Sequence, residues 1–224
     1  MPRKRRITKG GIVYHVLNRA NGRLRIFKKP LDFIAFENVL AEGVERFGMR
    51  ICGYCIMSNH WHFLLWPPED DTMVNFMRWI TLTHTQRWHA SHGTTGIGHV
   101  YQGPYKSFPI QTDWRYLKAM QYIEANPLRA GIVDDAAHWQ WSSLSHRSNP
   151  QGTKPFNLDP GPVPLPKNWP QKVNQPIDPT HSQQLANCIK RGCPYGQEDW
   201  TKQTAGLLNL QSTLRNRGRP RKLK

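Results

Sequence analysis

Asn59-His60-Trp61-His62-Phe63-Leu64-Leu65 is the stretch on which the reading of this chain turns. It reads as a strand that Pro67-Pro68 brings to an end, because proline cannot donate to a sheet ladder. Strand side chains alternate between faces, so His60 and His62 share one face and Trp61 takes the other. The two imidazoles are rooted ~7 Å apart, close enough to converge on one ion. Neutral imidazole is a general ligand for divalent transition metals. Two half-exposed histidines on a sheet face carry the same spacing, and the chain holds 10 His. The pair by itself therefore leaves both readings open.

Working outward, residues Arg50 to Met57 form a neighbouring strand, joined to the first through Ser58-Asn59. Ile12 to Leu17 reads as an earlier strand, ended by the turn chemistry of Asn18 to Gly22. Pro30 suits the first turn of a helix with Phe33, Phe36, Leu40, Val44 and Phe47 on one face, stopped by Gly48. After Pro68, Asp70 or Asp71 is expected to cap a helix buried through Met73, Phe76, Met77 and Ile80, with His84, Arg87, His89 and His92 at its far end. Residues 93–104 are glycine-rich and read as a loop. A last helix is expected from a Thr112 cap to about Asn126, where Pro127 disfavours helix. Strand, helix, two strands and helix in this order argue for an α+β sandwich.

On that last helix, ~100° per residue gathers Tyr116, Leu117, Met120 and Ile123 into one core-facing arc. Tyr122 lies roughly 150° from its centre, beside Arg115, Lys118 and Asn126. Asn126, four residues on, adjoins it along the helix surface. A tyrosine there is either a surface residue at a helix edge or a phenol presented for chemistry.

The charge has a separate meaning. The chain has 224 residues with 31 Lys+Arg against 15 Asp+Glu, a net charge of +16. Such an excess opposes folding slightly and gathers polyanions. No apolar run approaches bilayer length, and the basic start lacks the apolar stretch of a signal peptide. Four Cys do not make a disulfide scaffold. The expectation is a soluble cytoplasmic protein, nucleoid-associated, whose partner is nucleic acid. Residues 1–9 read as a basic arm, 10–148 as the main domain and 149–180 as an extended linker or wrapping arm holding half of the 18 prolines. Residues 181–224 read as a small basic C-terminal region.

The motifs in order also resemble a known family. SNHWHFLLWP (58–67), GHVYQGPYKS (98–107), YIEANPLRAGIV (122–133) and WQWSS (139–143) resemble the single-tyrosine HUH transposases. The resemblance is nearest to the IS200-like, REP-associated tyrosine transposases of bacteria. GGIVYHVLNRANGRLRIF (10–27) and RGRPRK (217–222) also look like that family. Each motif is modest; the ordered set is specific. The resemblance implies a ferredoxin-like sandwich with a central antiparallel sheet, the histidines on a central strand and the tyrosine helix beside it. It makes His60 and His62 metal ligands, Tyr122 the nucleophile, and Asn126 a residue that can complete the metal site. The activity it implies is metal-dependent endonuclease and strand transfer on single-stranded DNA beside a REP-like hairpin, by a monomer or a dimer.

That chemistry accounts for the residue types. A divalent ion withdraws charge from a phosphodiester and orients it for in-line attack. Two His and one amide leave positions open for phosphate and water, with Mg²⁺ or Mn²⁺ the expected ion. Free tyrosine has a pKa near 10, so Arg115, Lys118 or the ion is expected to stabilise the phenolate. The DNA-binding candidates are Arg3, Lys4, Arg5, Arg6, Arg19, Arg23, Arg25, Arg87, Lys106, Arg115, Lys118, Arg217 and Arg219. Aromatics interleaved with these cations (Trp79, Trp88, Tyr101, Tyr105, Trp114) are candidates for stacking bases. Arg217 to Pro220 resembles an AT-hook core. Cys52 and Cys55 are expected on opposite faces of their strand, against a shared metal. Two further readings stay in view: a hairpin-DNA-binding regulator that no longer cleaves, and a zinc hydrolase built on His60 and His62.

Overall fold

A computed structural model describes residues 6–149 and 154–215. Four strands, β1 (Val13–Arg19), β2 (Arg50–Met57), β3 (His60–Trp66) and β4 (Lys106–Ile110), form one antiparallel sheet in the order β2-β3-β1-β4. The helices are α1 (Pro30–Phe47), α2 (Thr72–His92), α3 (Trp114–Glu124), α4 (Asn126–Arg129), α5 (Ser143–Ser148), α6 (Trp169–Asn174), α7 (Pro179–Arg191), α8 (Glu198–Leu207) and α9 (Gln211–Leu214). Strand order and connections are those of a ferredoxin-like sandwich, with the His-Trp-His strand in the interior of the sheet.

Alternation along β3 divides the core in two. Trp61, Phe63 and Leu65 point to the face covered by α1 and α2, against Phe36, Phe76 and Ile80. Leu64 points to the face covered by α3, with Phe108, Tyr116, Met120 and Ile123. Full burial of each such large side chain contributes about 1.5–3 kcal/mol. Helix α1 begins at Pro30, and the Asp32 carboxylate accepts from the backbone N–H of Lys28 and Lys29 at 2.8 and 3.1 Å. It ends at Gly48, whose φ of 60° suits glycine.

Several local expectations are corrected. Neither Asp70 nor Asp71 caps α2 through its side chain: Asp71 is the N-cap residue without a cap bond, while Asp70 accepts from Gly10 N and Lys9 Nζ. The cap of α3 is Asp113, one residue after Thr112, accepting from Arg115 N. Pro127 does not end the helical path; it occupies the first turn of α4, where its missing N–H costs nothing. Strand β4 arises where no strand was expected; it carries Pro109, and as an edge strand it tolerates proline. A β-bulge between Ile51 and Gly53 puts Cys52 on the α3 face together with Cys55, so these two thiols do not face opposite sides. Met120 packs against Gly53: a Cβ at position 53 would stand 2.2 Å from Met120 Sδ and would displace that side chain.

The proline-rich segment wraps the β2 edge. Asp159 N donates to Ile51 O at 2.9 Å, Phe156 enters the α1/α2 core and Trp169 the α3 core. Trp169 Nε1 donates to the fully buried Glu124, which also holds Ser143 and Arg147. The opposite edge is covered by Tyr195, whose N–H and C=O bond to Pro109 and Gln111. Unpaired edges invite pairing with other chains; the β2 edge is covered at Ile51 by Asp159 and at Cys55 and Ile56 by Ser142 and Trp141, and the β4 edge by Tyr195. Among the described residues no helix is long and apolar enough to cross a membrane.

Candidate active site

The α3 face of the sheet is not apolar throughout. His60 and His62 of β3 and His15 of β1 lie on it together, the His60 and His62 ring centroids 5.2 Å apart. Helix α3 brings the Tyr122 ring to 6.5 Å from both His62 and His15. His60, His62, Tyr122, Asn126 and Arg129 line one cleft of about 640 Å³, with Arg19 and Lys106 on its walls.

Each imidazole has one nitrogen committed and one free. His60 Nδ1 bonds to Asn59 Oδ1 at 2.6 Å, and His62 Nδ1 to His15 Nε2 at 2.8 Å. Among the described residues the Nε2 atoms of His60 and His62 have no partner, and they are not buried, so both open to the cleft. Burial, then the cations Arg19 and Arg129, lowers the His60 pKa to about 4. Burial also holds His62 well below its ordinary value, with His15 and His60 adding to it. Both rings therefore keep their lone pairs at neutral pH.

Asn126 is nearly buried and caps the end of α3: its Nδ2 donates to the carbonyls of Tyr122 and Ile123 at 3.2 and 3.0 Å. Its Oδ1 accepts from Arg129 at 2.9 Å and retains a second lone pair. Arg129 lies with its guanidinium 3.8 Å from the Tyr122 ring centroid. Among the described residues no group of three or more His, Cys, Asp or Glu gathers in a metal-binding arrangement. Two neutral imidazole nitrogens and one amide oxygen suit a divalent ion whose remaining positions a phosphate and water complete.

The other sequence candidates disperse. Arg19 and Lys106 reach the cleft, whereas neither Arg115 nor Lys118 lines it. Arg115 is paired with Asp113 and stacked on Trp114. Lys118 faces a separate pocket of about 270 Å³ with Trp114 and Trp169. The cation expected beside the phenol is instead Arg129, because α4 turns the chain back over Tyr122. Arg87 is held by Glu42 on the helical layer, and Arg6 donates to Tyr105 O. Arg23 and Arg25 are exposed after β1. Trp88, Tyr101 and Tyr105 are buried and cannot stack bases, while Trp114 remains exposed. Arg3, Lys4, Arg5, Arg217 and Arg219 lie outside the described residues. Arg129 and His15 were not singled out by the sequence. The signal for Arg129 is its place three after Asn126; for His15 it is the strand alternation that puts it on the face opposite Tyr14.

The family model described as "Transposase IS200 like" matches residues 8–126. No curated protein sequence matches the chain. The chain is similar in fold to a solved structure of a REP-associated tyrosine transposase bound to a REP hairpin. The TM-score is 0.53 at 18% identity, covering 73% of this chain and 94% of that one.

Proposed function

The chain belongs to the IS200-like transposase family, and on that premise we propose that it nicks and rejoins single-stranded DNA beside hairpin-forming palindromes, with Tyr122 as nucleophile. The observation that carries the reading is the sharing of one basic, carboxylate-free cleft by the Tyr122 phenol and the two open imidazole nitrogens. Arg19 and Lys106 would bind the phosphates flanking the scissile bond. The phenol oxygen of Tyr122 attacks phosphorus and gives up its proton; the bond from phosphorus to O3′ breaks and the 3′ oxygen gains a proton. The products are a 5′-phosphotyrosine and a free 3′-OH, so the phosphodiester energy is stored and a second 3′-OH can reverse the step. Arg129, over the ring, favours the phenolate as charge develops. His60 and His62, with Asn126, are the residues that would hold Mg²⁺ or Mn²⁺, which supplies charge withdrawal from the scissile phosphate.

A hairpin partner is supported by the fold neighbour, which was solved with one. The test is to incubate the protein with labelled hairpin single-stranded DNA and Mn²⁺ and to look for an SDS-resistant adduct. The expected result is an adduct in the wild type that is lost in Tyr122→Phe. Persistence in Tyr122→Phe would overturn the nucleophile. Hairpin binding without an adduct under any metal would leave a regulator, and hydrolysis surviving Tyr122→Phe would indicate a zinc hydrolase.

A further inference from the structure

His15 is an unusual core residue. It is 1% exposed in the middle of β1, flanked by the Phe108 edge at 4.9 Å and the His62 ring at 5.0 Å between centroids. Its Nδ1 is buried with no partner among the described residues. A hydrocarbon of the same size would fill this place without that orphan, and burying an unpaired polar atom is costly. Among the described residues, the one polar contact His15 makes is Nε2 to Nδ1 of His62.

Asn59 stands in the same relation to His60. Its Nδ2 donates to Arg23 O at 3.4 Å, which turns Oδ1 toward His60 Nδ1 at 2.6 Å. An amide oxygen only accepts, so His60 must carry its proton on Nδ1 and leave Nε2 bare. For His62 to present a bare Nε2 as well, its Nδ1 must donate and His15 Nε2 must accept. Metal-binding imidazoles commonly give their second N–H to such a partner, which fixes tautomer and ring orientation.

We propose that His15 and Asn59 are positioning residues, each holding one of the two cleft imidazoles with Nε2 toward the cleft, His15 through an unusual buried histidine pair. The proposal rests on the reading of His60 and His62 as ligands of a divalent ion. In the loaded site the proton of His62 sits between the two rings on Nδ1, and His15 carries its own on the orphaned Nδ1. The orphan is thus the cost of keeping an acceptor behind His62. His15 does not touch substrate and acts only through its neighbour.

The test is an electron paramagnetic resonance titration of the full chain with Mn²⁺ alone. His62→Ala establishes that the bound Mn²⁺ is at this site. His15→Phe keeps the packing and removes the acceptor; it is expected to weaken Mn²⁺ binding about 10–100-fold. His15→Gln, which restores an acceptor, should recover most of that loss, and Asn59→Asp should bind more tightly than Asn59→Ala. Hairpin DNA binding in chelator should be unchanged in all four. Wild-type affinity in His15→Phe, or no recovery in His15→Gln, overturns the proposal while the ligand assignment stands. Failure of the wild type to bind Mn²⁺, or binding untouched by His62→Ala, overturns the ligand assignment and the proposal together. Should His15→Phe not fold, ¹⁵N spectra of the Mg²⁺-loaded wild type decide: a proton on His15 Nδ1 is expected, and one on Nε2 refutes the acceptor role.

Discussion

Strand β3 carries a polar network on each of its faces, and the two are built to opposite ends. On the α1/α2 face, Trp61 Nε1 donates to Tyr101 Oη at 3.1 Å, and Tyr101 Oη lies 2.7 Å from His84 Nδ1. All three side chains are buried, and the ring of His84 stacks on Phe27. These bonds run between buried protein groups, so they serve packing and specificity of the core. On the α3 face, His62 and His60 are each bonded on one nitrogen only, and the other opens to the cleft beside Tyr122. Burial lowers the pKa of His84 to about 3, much as it lowers those of His15 and His60. A depressed histidine is therefore not what distinguishes a site from a core here. The unspent lone pair is.

That contrast can be broken from either side. The largest expected effect is Tyr122→Phe, which should remove adduct formation by roughly 10⁴-fold or more while hairpin binding persists in a filter or gel-shift assay. His60→Ala should follow, with strand cleavage down at least about 100-fold and little change in thermal midpoint. His84→Ala should do the reverse. It leaves the Tyr101 hydroxyl short of a buried partner and opens a hole beside Phe27 and Phe36, so denaturant titration should show a loss of about 1–3 kcal/mol, with cleavage by the folded fraction unchanged.

Acid sharpens the same comparison. The folded pKa of His84 lies below that of the unfolded chain, ~6.5, so the unfolded state takes up its proton first. Stability is complete above that value and is lost as pH falls from there toward about 3. In His84→Phe this component is absent, and below pH 6.5 its stability should fall less steeply than the wild type's by about 1.4 kcal/mol per pH unit. Equal slopes would mean that His84 is not held neutral. The smallest effect concerns Arg129, an exposed cation over the Tyr122 ring. Arg129→Met should slow cleavage about 3- to 5-fold, the worth of an exposed cation–π contact, and a single-turnover assay would resolve it.

Much of this architecture is legible in local patterns. Period two along His60-Trp61-His62 separates a core tryptophan from two ligand candidates, and the structure puts them on those faces. The apolar spacing of α1 and α2 predicts their buried sides, and the displacement of Tyr122 from the α3 arc predicts its emergence from the core. What the patterns miss are events where one residue shifts a frame. The bulge at Cys52 reverses the expected side of one thiol. Pro127 restarts a helix instead of ending one, which delivers Arg129 to the phenol in place of Arg115 and Lys118. Pro109 sits in a strand because that strand is an edge. The proline-rich segment has no periodicity of its own and takes its path from the β2 edge it covers.

From the residues alone came the faces of each element, the surplus of cations and the motif set, because side-chain period and charge are local properties of a chain. Tertiary structure alone decided which cations reach the phenol, and that His15 stands behind His62. Arg129 reaches Tyr122 only because α3 gives way to α4 at Asn126 and Pro127, while His15 and His62 lie 47 positions apart in sequence and only the pairing of β1 with β3 brings them together.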